Sequence, residues 1–170
     1  MSQVWAMFNG KRGDQLPILN QSGGPFPPQP ASRGWVAMGW PEIGSMKIWE
    51  KDFANYERKF KVAYPDDSTQ QRSVPWNFAY ELQIGDYLVC PSYAHSLVAV
   101  GLVTGDYSTK FGEIIGLRPD FIHFREVRWE AFVKRSNPNF GKLPGCGLLT
   151  LSRLQNQIST ADLKSLLELQ

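Results

Sequence analysis

SLVAVGLVTGDY, residues 96–107, decides how this chain folds. From Leu97 to Val103 every position but Gly101 is apolar, so both faces of an extended segment here are hydrophobic. A sheet with one face in water alternates apolar and polar residues. A strand that does not alternate is buried on both sides or belongs to a closed barrel. The strands around it read more simply. IGDYLVCP, residues 84–91, is a turn at Gly85-Asp86 followed by a strand over Tyr87–Cys90. FIHFREVRWEAFVKR, residues 121–135, is a long strand. Ile122 and Phe124 share one face of it, whereas Val127, Trp129 and Ala131 have the opposite phase. A bulge near Arg125-Glu126 would bring both sets to one face.

Upstream, QVWAMF (residues 3–8) and WVAMGW (35–40) read as two further strands. Residues 9–34 between them include GGPFPPQP and are rich in Gly, Pro, Asn and Ser. Prolines lack an N–H and glycines cost entropy, so this is predicted as a loop, and a loop of such length is often functional. WEKDFANYERKFKVA, residues 49–63, sets Trp49, Phe53, Tyr56 and Phe60 at helical spacing with charges opposite. A second helix runs to about Leu82, capped by Asp66, Asp67 or Ser68. Pro75 lies inside it, so the helix is kinked there or starts near Ser73. Val74, Phe78 and Leu82 line its apolar face. ISTADLKSLLEL, residues 158–169, is a short amphipathic helix capped by Ser159 or Thr160. The order is strand, loop, strand, two helices, three strands, helix. It predicts an α+β fold built on a small β-barrel flanked by helices rather than a βαβ sheet. Residues 1–158 form the main unit, and 159–170 a C-terminal helix.

The length of 170 residues fits one domain with a substantial core. Eighteen basic residues against sixteen acidic leave a net charge of +2, which gives no global attraction to nucleic acid, only local clusters. No run of 18 apolar residues occurs and the N-terminus lacks a signal-peptide core, so a cytoplasmic protein without membrane contact is expected. Cys90 and Cys146 stand alone, a poor basis for zinc or a disulfide. No phosphate-binding glycine motif is present. Ser92 or Ser96 with His95 and Asp106 is the nearest approach to a hydrolase triad, and no nucleophile elbow surrounds the serines. Asp66-Asp67 reads as helix capping and Asp86 as a turn residue. His123, in a strand, reads first as a structural hydrogen-bonding residue. Catalysis, metal and cofactors are not expected.

Four phrases in order carry a resemblance. GWVAMGW, NFAYELQIGDYLVCPS, LVAVGLVTGDY and HFREVRW resemble the EVE/YTH-like branch of the PUA superfamily, and more narrowly the N-terminal recognition modules of modification-dependent restriction systems. The likeness covers most of residues 3–158, and LPGCGLLTLSRLQ fits the end of such a module. It implies a PUA-like barrel that takes a flipped, modified base of double-stranded DNA into an aromatic cage. It also implies a nuclease or motor effector, as a domain or a separate subunit. Flipping a nucleotide costs a few kcal/mol, and stacking on aromatic walls returns roughly 1–3 kcal/mol per base. An extra methyl group fills apolar space that would otherwise be void.

Matching positions nominate the cage. Trp40, a bulky indole at the exit of its strand, comes first, then Trp76, with Trp35 and Tyr107 beside them and Asp106 as acceptor for an exocyclic amine. Core packing is the alternative for each, and the stronger one for Trp5, Trp49 and Trp129. Lys11, Arg12, Arg33, Lys110, Arg118, Arg125 and Arg128 are candidates for phosphate contact, the alternative being a solvated surface. Gln15, Leu16 or Phe26 would fill the gap left by a flipped base. An RNA reader of the YTH type and a small-molecule-binding barrel are the competing readings. The reader predicts a basic rim around the pocket; the small-molecule site predicts an enclosed apolar pocket without one.

Overall fold

The structure, a computed structural model, describes residues 1–8, 32–109, 118–138, 150–154 and 158–169. Lys11, Arg12, Lys110, Cys146, Gln15, Leu16, Phe26 and most of LPGCGLLTLSRLQ lie outside the described residues.

The strands are β1 (Val4–Met7), β2 (Ser32–Met38), β3 (Tyr87–Ser92), β4 (Leu97–Val103), β5 (His123–Lys134) and β6 (Leu151–Arg153). They form one mixed sheet in the order β2-β5-β4-β3-β1-β6. Only β1 and β3 run parallel. The fold is α+β, but among the described residues the predicted closed barrel is an open sheet. Closure needs every strand to hydrogen-bond on both sides. Here β2 pairs only with β5, and the three-residue β6 only with β1.

The stretch that opened the sequence reading is buried on both faces. Ala99 and Val103 of β4 enter a large core with Trp5, Val127, Trp129 and the helical residues Tyr56, Phe60 and Phe78. Val98 and Val100 face a second core with Val4, Val89, Val133 and Leu163. The bulge predicted near Arg125-Glu126 lies further along. Gly101 pairs with Trp129 and Val100 with Ala131, so Glu130 is the extra residue. A Cβ on Gly101 would stand 3.2 Å from the Trp129 ring, so glycine makes room for that indole. The parity switch sends Phe132 toward the large core and Ala131 toward the second.

The first helix starts later than its spacing predicts. α1 is Phe53–Ala63, capped by Asp52, whose carboxylate accepts from the Asn55 N–H at 3.1 Å. Trp49 ends a separate 3₁₀ turn, Met46–Trp49, and Glu50 and Lys51 between them are left-handed. α2 (Thr69–Trp76) opens on a capping box of Ser68 and Gln71, and continues as a wider π-turn over Asn77–Glu81. Pro75 stands inside the helix, and the missing donor and ring bulk of a proline interrupt a regular ladder. α3 (Thr160–Glu168) is capped by Ser159, as predicted, and buries Leu163 in the second core. The C-terminal helix therefore shares the hydrophobic core of the main unit. Among the described residues no helix is long and apolar enough to cross a membrane.

Arg125 ties the π-turn to the sheet. It is 3% exposed, and its guanidinium donates to the carbonyls of Phe78 (3.1 Å), Ala79 (2.9 Å), Leu82 (2.7 Å) and Gly105 (3.2 Å). Burial pulls its pKa below the ordinary guanidinium value, and the negative charges of Asp106 and Asp86 oppose that shift. Four carbonyls of irregular backbone are satisfied by one side chain. Arg125 is therefore corrected from a phosphate contact to an internal cap. Arg125→Met would leave those carbonyls without their donor. The expected loss is about 3 kcal/mol, read as a lower urea midpoint at unchanged slope.

Candidate functional site

β2 ends at Met38, and Gly39 carries the chain to Trp40, whose backbone is left-handed at φ 60°, ψ 53°. For a bulky L-residue this conformation costs about 1–2 kcal/mol, so neighbours must hold it. Asp67 does so at the side chain: its carboxylate accepts the indole N–H at 2.9 Å. His123 does so at the backbone, with Nε2 3.3 Å from the Trp40 carbonyl. The indole also packs on Phe60, ring centroids 6.4 Å apart.

The tautomer of His123 follows from its partners. A carbonyl only accepts, so Nε2 carries the proton. Nδ1 then accepts from the Tyr107 hydroxyl at 2.6 Å, and that hydroxyl accepts from the Met46 N–H at 3.0 Å. The Met46 carbonyl in turn accepts from the Tyr80 hydroxyl. His123 is fully buried, and burial pushes its pKa down to about 4, against a smaller upward pull from the Trp40 carbonyl. At neutral pH it is the uncharged imidazole this chain requires.

Trp40 lines an open pocket of about 410 Å³ together with Phe8, Ala37, Met38, Gly39, Arg118, Asp120, Phe121 and Thr150. Phe8 follows β1, Thr150 precedes β6, and the Phe8 N–H donates to the Thr150 carbonyl at 2.9 Å. The pocket thus lies where the curled sheet brings the end of β2 toward the ends of β1 and β6. Arg118 stands over the Phe121 ring at 5.2 Å and grips Asp120 with two hydrogen bonds, 3.1 and 2.8 Å. Both side chains of that ion pair are roughly half exposed, and such pairs are worth about 0–1 kcal/mol.

Of the nominated cage residues only Trp40 lines this pocket. Trp76 does not line this pocket; it packs among Tyr80 at 4.5 Å, Phe53 at 5.0 Å and Tyr56 at 5.4 Å, and Tyr56 in turn meets Phe60, on which Trp40 packs. Trp35 is buried in the large core, with Arg33 over its ring at 5.4 Å. Tyr107 is buried beneath the site and acts through His123 rather than at a rim. Asp106 is exposed and lies outside the pocket, in the electrostatic field of Arg125. Among the basic candidates Arg118 is at the pocket. Arg33 pairs with Glu126 and Arg128 with Glu130, each at 2.6 Å, on exposed strand positions.

Several site residues escaped the sequence reading. Asp67 was assigned to capping, a task Ser68 performs. Asp86 is more than a turn residue: it accepts from the N–H groups of Gln3 (2.8 Å) and Gln83 (3.0 Å) and from the Trp5 indole (3.0 Å). Asp120-Phe121 stands one residue, Ile122, before the HFREVRW phrase, and that position was the available signal. The hydrolase constellation does not assemble. Ser92 Oγ lies 2.7 Å from His95 Nδ1, but Ser92 is fully buried, and Asp106 stands at the opposite end of β4, roughly 20 Å away. Among the described residues no group of three or more His, Cys, Asp or Glu could hold a metal ion.

A family model described as "Domain of unknown function (DUF8426)" matches residues 27–154, which is 128 of the 170 residues. No curated protein and no solved structure matches the chain.

Two outcomes are expected from this geometry. Trp40→Gly should be more stable than Trp40→Ala by about 1 kcal/mol in urea unfolding, because glycine occupies the left-handed region without strain. His123 has its folded pKa below its unfolded value, so the unfolded chain binds the extra proton between about pH 6.5 and 4. Stability should be full above pH 6.5 and fall by about 3 kcal/mol as pH drops to 4. In His123→Gln that part of the pH dependence should vanish from a urea series.

Proposed function

The chain belongs to the DUF8426 family, and from that premise we propose that it is a non-enzymatic reader of a modified, most readily methylated, base in double-stranded DNA. The base enters the pocket walled by Trp40 and Phe121. The observation that carries the reading is the way Trp40 is held. Its side chain and its backbone carbonyl are each fixed by a hydrogen bond, in a backbone conformation a tryptophan avoids. A space-filling indole also bonds its N–H, as Trp5 does to Asp86, but it needs no left-handed backbone held in place by a histidine. Preorganised aromatic walls lower the entropy lost on binding, and a flipped base gains roughly 1–3 kcal/mol from such a surface.

The pocket mouth supports a nucleic-acid ligand over a neutral metabolite. It is open rather than enclosed, and Arg118 and Asp120 stand at it. Arg118 supplies a cation for phosphate. Asp120 takes the role the sequence gave to Asp106, accepting from an exocyclic amine. In this reading the curled sheet is a PUA-like architecture of the EVE/YTH type. The protein is then the cytoplasmic specificity module of a modification-dependent restriction or defence system, acting with a nuclease or motor effector.

Fluorescence anisotropy at fixed salt tests this, with matched duplexes that are unmodified, adenine-methylated, cytosine-methylated or hydroxymethylated. One modified duplex should bind at least tenfold tighter than its unmodified match, a difference of about 1.4 kcal/mol. Trp40→Ala should abolish that preference while the protein stays folded. Trp76→Ala should keep it, since Trp76 lies outside the pocket. Equal, weak and salt-sensitive binding to all four duplexes would refute the reading and favour a small-molecule site.

A further inference from the structure

The pocket is continued on the protein surface by three stacked side chains. Phe8 lines the pocket and also stacks on Tyr93, with centroids 5.8 Å apart and planes 18° from parallel. The same tyrosine ring is covered by Arg135, whose guanidinium carbon is 3.7 Å from the ring centroid. Tyr93 is still 43% exposed, so the stack lies at the surface. Its partners come from different parts of the fold: Phe8 after β1, Tyr93 in the turn between β3 and β4, and Arg135 after β5. The Arg135 N–H donates to the Ser96 carbonyl at 3.0 Å, which fixes the backbone there.

The charge around this stack is one-sided. Residues 92–97 and 131–138 contain no acidic residue, and they carry Lys134, Arg135 and His95. Among the described residues Arg135 forms no ion pair with a carboxylate, in contrast to Arg33, Arg118, Arg128 and Arg153. Asp86, Asp106 and Glu126 lie toward the other end of β4 and β5, while the nearer acids are engaged, Glu130 with Arg128 and Asp120 with Arg118. A planar cation laid against an exposed aromatic ring keeps its N–H edge directed outward, in the fork geometry that suits a phosphate.

We propose that the Phe8–Tyr93–Arg135 stack is a second nucleic-acid contact. In it Arg135 binds the backbone phosphate of a nucleotide flanking the base held at Trp40. Tyr93 is the positioning residue that sets the guanidinium plane, and Phe8 couples the stack to the pocket. The flanking position rests on the proposed function; the phosphate contact itself does not.

Binding across a salt series tests it, with modified and unmodified duplexes and the full chain. Arg135→Gln should lower the slope of log K against log salt by about 1, the signature of one lost phosphate contact. It should weaken modified and unmodified duplexes by the same factor. Arg135→Lys should restore the slope, and Tyr93→Leu should weaken binding with the preference for the modified base intact. An unchanged slope in folded Arg135→Gln overturns the proposal. Should that variant not fold, wild-type protein and duplexes with one neutral methylphosphonate linkage decide. One position beside the modified base should reduce the slope by about 1, and no effect at any position overturns the inference. A slope reduced by Arg135→Gln without any preference among the duplexes refutes the pocket reading alone and upholds this contact.

Discussion

Trp40 stands where it does because His123 is buried and neutral. One imidazole accepts from Tyr107 on one side and donates to the Trp40 carbonyl on the other. A protonated ring would have two N–H groups, and one of them would face a hydroxyl that already gives its own proton in that direction. Burial removes that alternative by making the charge costly. The chain Met46, Tyr107, His123, Trp40 therefore has one arrangement of protons. It links the 3₁₀ turn before α1, the loop after β4, the start of β5 and the end of β2. Of these segments the end of β2 lines the pocket, and the others support it through this chain of hydrogen bonds.

The sheet supplies the other side. Because among the described residues it curls without closing, the end of β2 comes toward the ends of β1 and β6, and the pocket occupies that seam. A closed ladder would have filled the seam with backbone hydrogen bonds. Arg125 and Asp86 hold the supporting backbone from within. The arginine gathers carbonyls from the π-turn that follows Pro75, and the aspartate gathers donors from β1 and from the turn before β3. Each charge satisfies several backbone groups that the irregular chain leaves open. Removing either group strands its partners in a low-dielectric interior.

Three surface features then differ in kind. The aromatic cluster around Trp76 is packing between α1 and α2. The ion pairs of Arg33 and Arg128 lie along the strand faces. At Trp40, Phe121 and Arg118, and outward through Phe8 to Arg135, aromatic rings and cations share a surface. That combination joins apolar stacking to charge attraction, and the functional reading rests on it.

Local chemistry made much of the architecture legible. The non-alternating run Leu97–Val103 pointed to a strand buried on both faces or in a closed barrel, and β4 is the former. Ser68 and Ser159 announced their helices through capping spacing. His123 read as structural. These features depend on neighbours within a few residues, so a single sequence carries them. The bulge did not read correctly, because its place at Glu130 is set by Gly101 across the sheet and by the bulk of Trp129. Nor did the late start of α1, where Asp52 and two left-handed residues override helical spacing. Asp67, Asp120 and Phe8 at the pocket, and Arg125 inside the fold, were beyond reach for one reason. A carboxylate or a guanidinium has the same local signal on a surface, in a cap or under an indole. What distinguishes these roles is which distant backbone or ring folding brings within about 3 Å. The sequence by itself determined five of the six strands, the starts of two of the three α-helices and the indole at a strand exit. The tertiary structure decided what that indole faces, because the pocket is a gap between the two edges of one sheet and exists only when both are in place.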